Sequence, residues 1–226
     1  MQFRLAVEDA EPDHWVAYVL DLPGCFSPAT TLEAAVAQAP QAIREHFAWL
    51  AAHQVLPVLD ASAAEVEVVE QFTSFANPSV PDYIVNAFFK DDYRPLRFWD
   101  VEAALRLMEW SRRDLLTLLR EQQNTVALPP EKLTQVTEIL NHIAGAENWY
   151  LDRLDAGLAR DSMPADAWER LAAVRANARK QLIQLIDEQR IAKKSGEIWS
   201  ARKIVRRLLW HERDHTQHIS QILGLA

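Results

Sequence analysis

The chain has 226 residues, a net charge of −8 and a single cysteine, Cys25, which excludes an intramolecular disulfide framework and favours a reducing compartment. Its five glycines disfavour a glycine-rich phosphate loop. The sequence shows no signal peptide at its N-terminus and no apolar stretch long enough for a membrane span. We therefore expect a cytoplasmic protein, made of one large or two small domains, with no membrane contact.

The negative charge is concentrated in the first part of the chain. Residues 1–90 carry three Lys or Arg against twelve Asp or Glu, a charge of −9, whereas the remainder carries twenty-one against twenty. An acidic surface repels phosphate backbones, so we expect no nucleic-acid partner here. The charge suits docking of a basic protein partner, and an acidic surface that only faces solvent explains it equally well.

Four segments of residues 1–90 show the alternation or clustering of apolar side chains that is typical of strands. A helix is predicted between the second and the third, because Thr30 and Glu33 form a capping box ahead of a helical pattern that continues to about Ala52. Pro40 lies inside this helix, where it removes one hydrogen bond or introduces a kink. The predicted strands are residues 2–8, 14–20, 66–72 and 83–89.

After a predicted linker at residues 77–81 and a second at 91–95, the pattern changes to long helices. Helix start signals stand at Asp100, Pro130, Asp166 and Ser200, and Gly224 ends the last helix. The predicted helices are residues 100–123, 130–158, 166–190 and 200–224. The predicted fold class is α+β, with a small β-α-β domain over residues 1–90 and an up-down four-helix bundle over residues 91–226.

Three histidines of the predicted bundle have the spacing of metal ligands. His211 and His215 are four residues apart and share one face of the last helix, while His142 lies within the apolar pattern of the second helix. A single histidine in such a place is more often a hydrogen-bonded core residue, but three with these spacings favour a metal. Zinc and nickel both suit imidazole, and three ligands leave a coordination position open for water or substrate.

The segment His211-Glu212-Arg213-Asp214-His215 also matches the H-E-x-x-H pattern of zinc proteases, in which Glu212 would be the general base. Only eleven residues follow His215, which is too few for the usual distant third ligand. We therefore expect Glu212 to be a partner of the metal ligands or a surface acid.

Four basic residues precede these histidines in the last helix. They would draw an anionic substrate or a thiol toward the site, or form a solvated face paired with acids, and the solvated face is the expectation. They are Arg202, Lys203, Arg206 and Arg207.

Residues 95–226 resemble the DinB/YfiT-like superfamily of metal-binding four-helix bundles. The resemblance rests on the segments 142–151 and 211–219, with the lead-in 199–203. It implies that one divalent metal is bound by His142, His211 and His215. Where this chain has His218, members of that family often carry Gln.

Characterised members of the DinB/YfiT-like superfamily include thiol-dependent transferases and isomerases. The resemblance therefore implies a small-molecule substrate and a low-molecular-weight thiol that the metal activates, and hydrolysis would use the same open position. We further expect a homodimer.

Residues 1–75 resemble the HicB-like domain of toxin–antitoxin antitoxins. The resemblance rests on Tyr18-Val19-Leu20-Asp21-Leu22-Pro23-Gly24-Cys25-Phe26, followed by Thr31-Leu32-Glu33-Ala34. A helix bundle occupies the place of an antitoxin's DNA-binding tail, so the resemblance implies a fold and a partner-binding surface.

Two hypotheses follow for the whole chain. The first is a metal-dependent enzyme, a thiol transferase, isomerase or hydrolase with a three-histidine site. The second is a regulatory or partner-binding protein whose metal is structural and whose HicB-like domain docks a basic protein. A structural site is closed by a fourth protein ligand, for which His218 is the candidate, whereas a catalytic site keeps one position open.

Overall fold

The structure, a computed structural model, describes residues 1–53, 64–78, 80–125 and 128–225. The chain divides into two compact units. Unit 1 comprises Met1–Tyr93 with Lys193–Ile198, and unit 2 comprises Arg94–Ala192 with Trp199–Ala226. Strands prevail in unit 1 and helices in unit 2, which confirms the predicted α+β class. None of the described helices is long and apolar enough to cross a membrane.

Unit 1 is built on a four-stranded sheet with the order β3-β2-β1-β4. Strand β1 pairs antiparallel with β2 and parallel with β4, and the helix α1 makes the crossover that a parallel neighbour requires. These elements are β1 (Gln2–Glu11), β2 (His14–Val19), β3 (Phe26–Ala29), α1 (Leu32–Ala52) and β4 (Glu65–Phe72).

One face of this sheet is buried under α1. Every second residue of β1 contributes to the core, and α1 contributes residues at helical spacing, so both elements show the periodicity that their burial demands. The fully buried members include Leu5, Val7, Ala17, Ala35, Ala39 and Ile43.

Unit 1 differs from the prediction in its short strands. Strand β3 was not predicted, and the segment predicted as a linker belongs to a hairpin of β5 (Phe75–Asn77) and β6 (Val80–Val85). The strand predicted at 83–89 ends at Val85. The helix is capped by Thr31 and not by Thr30, because Thr31 Oγ1 accepts a hydrogen bond from Ala34 N at 3.2 Å.

Among the described residues, unit 2 has four α-helices, α2 (Phe98–Thr125), α3 (Pro130–Asp152), α4 (Ala167–Gln184) and α5 (Ala201–Leu223). Helix α3 packs against α4 and α5, and α2 packs against α5 and α4. The shared core is apolar along all four helices, and its fully buried members include Leu115, Leu140, Ile143, Ala144, Val174 and Ile219.

Two predicted caps of unit 2 are in place. Asp166 Oδ1 accepts hydrogen bonds from the amides of Trp168 and Glu169, and Ser200 Oγ accepts one from Lys203 N at 3.1 Å. Gly224, at φ +77°, ends α5 in the left-handed conformation that glycine adopts without strain.

Helix α3 ends at Asp152, six residues before the predicted end. Asn148 explains the early end, because its side chain accepts from Leu158 N at 2.7 Å and donates to Leu158 O at 3.2 Å. These two bonds fold the chain back onto the helix through Asp155, which has φ +59°.

Helix α4 also ends early, at Gln184, and is followed by an unpredicted hairpin of β7 (Ala192–Lys194) and β8 (Glu197–Trp199). Its two-residue turn, Ser195-Gly196, has positive φ at both positions, as a type I′ turn requires. Within unit 1, Ser195 O accepts a hydrogen bond from Asn77 Nδ2.

Replacing Thr31 by Ala should lower the free energy of unfolding by about 1 kcal/mol, because the cap of α1 is lost. Chemical denaturation followed by circular dichroism measures the change. Thr30→Ala is the matched control and should leave the free energy of unfolding unchanged. A larger loss of stability in Thr30→Ala than in Thr31→Ala would show that Thr30 is the cap.

Candidate metal centre

His142, His211 and His215 come together between α3 and α5. Nε2 of His211 lies 3.1 Å from Nε2 of His142 and 3.0 Å from Nε2 of His215. One ligand atom from each of the three residues can be chosen so that all lie within 4.8 Å of one another. The spacing of one helical turn along α5 and the packing of α3 on α5 thus aim three imidazoles at one point.

Hydrogen bonds alone do not satisfy this arrangement. In a neutral imidazole Nε2 is either a donor or an acceptor, with one N–H or one lone pair. His211 Nε2 has a ring nitrogen on each of two sides, so only one of these contacts can be a normal hydrogen bond. A cation at the centre accepts a lone pair from all three rings at once.

The three side chains differ in their access to solvent. His211 is buried, His215 is partly buried, and His142 is exposed. Burial lowers the pKa of His211 well below its usual value, and the neighbouring His215, His142 and Arg207 lower it further. His211 is therefore neutral at pH 7, which is the state that binds a metal.

His218 lies outside the group. Its side chain is exposed, and its ring centroid is 6.5 Å from that of His215. Across the part of the chain that the structure describes, the group of potential ligands consists of His142, His211 and His215 alone.

A buried network of four charged side chains lies beside the histidines, with one residue from each helix of unit 2. Arg175 of α4 donates to Glu147 of α3 at 2.8 and 3.0 Å and to Glu212 of α5 at 2.8 Å. Arg112 of α2 donates to the same two carboxylates, at 2.7 Å to Glu212 and 3.3 Å to Glu147. The network therefore links all four helices.

Glu212 belongs to this network and is not a surface acid. Burial raises the pKa of its carboxyl group, but the charges of Arg175 and Arg112 outweigh burial and lower it, so the group is ionised. Both arginines contact Oε2, while Oε1 accepts no hydrogen bond from the described residues. A carboxylate held by two guanidinium groups is a weak base, which disfavours the role that Glu212 would have in a zinc protease.

Three members of this network, Arg112, Glu147 and Arg175, were not predicted from the sequence. The sequence did contain a sign of these buried charges. Glu147 follows Ile143 and Ala144 at helical spacing, and Arg175 lies between Leu171 and Ala178. A charge inside an apolar helical stripe indicates a buried partner of opposite charge. The partner itself depends on how the helices pack.

The basic residues of α5 follow the expectation of a solvated, acid-paired face only in part. Arg202 pairs with Asp100 at 2.8 Å, whereas Lys203 and Arg207 are buried. Lys203 is fully buried, with Nζ 4.3 Å from the ring centroid of Trp199. The guanidinium of Arg207 lies 4.3 Å from the ring centroid of Trp210 and 5.5 Å from that of Tyr150. Stacking against aromatic rings offsets part of the cost of burying these cations.

Comparison with known proteins identifies one domain. Residues 3–82 match the family model described as HicB_like antitoxin of bacterial toxin-antitoxin system. No curated protein matches the chain, and no solved structure matches it. The HicB-like domain predicted for residues 1–75 is thus confirmed, while the DinB/YfiT-like resemblance of residues 95–226 stays a prediction.

Replacing Arg175 by Ala should lower the free energy of unfolding by about 3–5 kcal/mol, because two buried carboxylates lose a partner. Arg106→Ala is the control, since Arg106 forms an exposed ion pair with Glu102 on α2. That change should cost only about 0.3–0.5 kcal/mol. Urea denaturation of both variants measures the difference, and equal effects would show that the buried network does not stabilise the fold.

Proposed function

We propose that the chain binds one divalent metal ion through Nε2 of His142, His211 and His215. The observation that carries this proposal is the pair of Nε2–Nε2 distances, 3.1 and 3.0 Å. Zinc bound by three imidazoles at about 2.0–2.1 Å in tetrahedral geometry places neighbouring ligand atoms about 3.3 Å apart. The three side chains therefore need little rearrangement to accept an ion.

We further propose that unit 2 is an up-down four-helix bundle of the DinB/YfiT-like kind. Each of its helices has two helical neighbours, since α3 contacts α4 and α5 and α2 contacts the same two helices. The central network takes one side chain from each helix, as expected for four helices around one axis.

The site suits a metal-dependent enzyme better than a structural metal. Only three protein ligands converge within the described residues, and His142 is exposed, so a fourth position would face an accessible side of the group. When bound, a zinc or nickel ion supplies a Lewis acid that lowers the pKa of a thiol or a water at the free position. The proposed activity is thus a thiol-dependent transfer or isomerisation, or a hydrolysis, of a small-molecule substrate.

Residues of the chain supply the surroundings of the ion. His211 is kept neutral by burial, so it holds a metal without first losing a proton. The ring of Tyr150 lies edge-on to that of His211 with centroids 5.7 Å apart, and its hydroxyl accepts from Arg207 at 3.4 Å. Both side chains are buried, so they enclose the His211 ring on this side and place a positive charge near it.

The alternative is a regulatory protein in which the HicB-like domain docks a basic protein and the metal only stabilises unit 2. It is supported by the family match of residues 3–82 and by the charge of −9 on residues 1–90. The name of the matched family points to the toxin of a toxin–antitoxin system as the kind of partner. The homodimer predicted from the sequence stays a prediction under either function.

Replacing His142, His211 or His215 by Ala should each abolish stoichiometric zinc or nickel, because two imidazoles bind a divalent ion too weakly. Elemental analysis after metal loading and dialysis measures the content. His218→Ala is the matched control from the same helix and should keep its metal. Retention of full metal content after loss of His142 would overturn the proposed ligand set.

Cobalt(II) distinguishes an open site from a closed one. Adding 2-mercaptoethanol to the cobalt-loaded chain should produce a sulfur-to-cobalt charge-transfer band in the near ultraviolet, because the thiolate takes the free position. The His218→Ala variant should show the same band. A spectrum that thiol leaves unchanged would mean that a further protein ligand closes the site, and the structural-metal alternative would then hold.

If a basic protein docks on unit 1, its binding affinity should depend strongly on the salt concentration. With a basic toxin of such a system as the probe, the dissociation constant should rise steeply between low and physiological ionic strength. Glu65→Lys and Glu67→Lys, on the exposed face of β4, should weaken binding, whereas Glu121→Lys in unit 2 should not. Calorimetric titration measures all three, and salt-independent binding would contradict an electrostatic interface.

A further inference from the structure

A groove of about 460 Å³ lies between α2 and α4 in unit 2. It follows from the sequence of α4, where Ala172 and Ala176 are one turn apart and leave the space that larger side chains would fill. A volume of this size is within the range of small-molecule sites, about 300–1,000 Å³.

The groove is strongly basic. Among the described residues that line it, three are arginines, Arg112, Arg175 and Arg179, and none is acidic. Glu147 and Glu212 contact the first two arginines, so three cations face two carboxylates and one positive charge is left over. Arg179 makes no ion pair with any described residue. In a chain with a net charge of −8, a groove with unbalanced positive charge is expected to attract an anionic ligand.

The arginines of the central network retain hydrogen-bonding capacity. Each Nη1 carries two N–H groups. Nη1 of Arg112 donates to Leu171 O at 2.9 Å, and Nη1 of Arg175 donates to Met108 O at 2.6 Å. One N–H on each Nη1 therefore has no acceptor among the described residues, and both side chains are fixed by their other bonds. Guanidinium N–H donors held in place in this way are the usual partners of a carboxylate.

The rest of the lining is apolar. Leu116 of α2 and Leu171 of α4 contribute aliphatic surface, and Trp168 is 41 % exposed at one end of the stripe. A half-exposed tryptophan offers a ring face for stacking, so the apolar part of a ligand would be flat.

We propose that this groove binds a small aromatic carboxylate, with its carboxylate at Arg112, Arg175 and Arg179 and its ring beside Trp168. A single excess positive charge favours a monoanion over a dianion such as a phosphate monoester. The site is distinct from the histidine cluster, because the groove lies between α2 and α4 and the histidines are on α3 and α5. It does not depend on the proposed metal.

The test uses the full chain stripped of metal with a chelator and titrated calorimetrically with 2-naphthoate. Saturable binding of one equivalent is expected. Arg179→Gln should raise the dissociation constant by about tenfold, the effect of one lost charge-assisted hydrogen bond. Lys180→Gln is the matched control, since it removes the same charge from the neighbouring exposed position outside the groove. It should change the constant by less than about twofold.

Further binding measurements, with two variants and with two related ligands, locate the site and identify the ligand class. Ala176→Trp, which fills the groove at an exposed position without changing the charge, should abolish binding. His142→Ala should leave binding intact, whatever the fate of the metal. The neutral 2-naphthamide and the dianionic 2-naphthyl phosphate should bind more weakly than 2-naphthoate.

No saturable binding by the unmodified chain would overturn the proposal. It would fail equally if Lys180→Gln weakened binding as much as Arg179→Gln, if Ala176→Trp retained it, or if His142→Ala lost it. Tighter binding of the naphthyl phosphate would contradict the assignment of a carboxylate.

Discussion

The arrangement of unit 2 depends on the buried ion pairs that Glu147 and Glu212 form with Arg112 and Arg175. A buried ion pair adds little stability over an apolar contact, but the loss of one partner leaves a charge in a medium that cannot solvate it. A packing of these helices that separated the charges would therefore be strongly disfavoured. The network therefore selects one arrangement of α2, α3, α4 and α5 among the alternatives that an apolar core alone would allow.

The same network fixes the direction of the histidines. His211 directly precedes Glu212 on α5, so the two side chains leave the helix about 100° apart. When Glu212 is held by the arginines, α5 cannot rotate, and His211 and His215 face His142 on α3. The arrangement of the three proposed ligands is thus set by the fold itself, which is the condition for a preorganised site.

The features that the sequence predicted correctly are those decided within a few residues. The caps at Asp166 and Ser200, the glycine end of α5 and the shared face of His211 and His215 depend only on local backbone geometry. The features that were missed depend on contacts distant in sequence. The short strands β3, β5 and β8 exist through their pairing partners, and the stop of α3 depends on the side chain of Asn148 bonding ten residues ahead. The partners of Glu212 are 37 and 100 residues away.

X-ray absorption at the zinc edge of the zinc-loaded chain tests the proposed metal site most directly. We expect three imidazole nitrogens at about 2.0–2.1 Å and one further light atom that a thiol replaces with sulfur at about 2.3 Å. A spectrum without the multiple scattering of three imidazoles, or one with four imidazoles that thiol does not change, would contradict the proposed site.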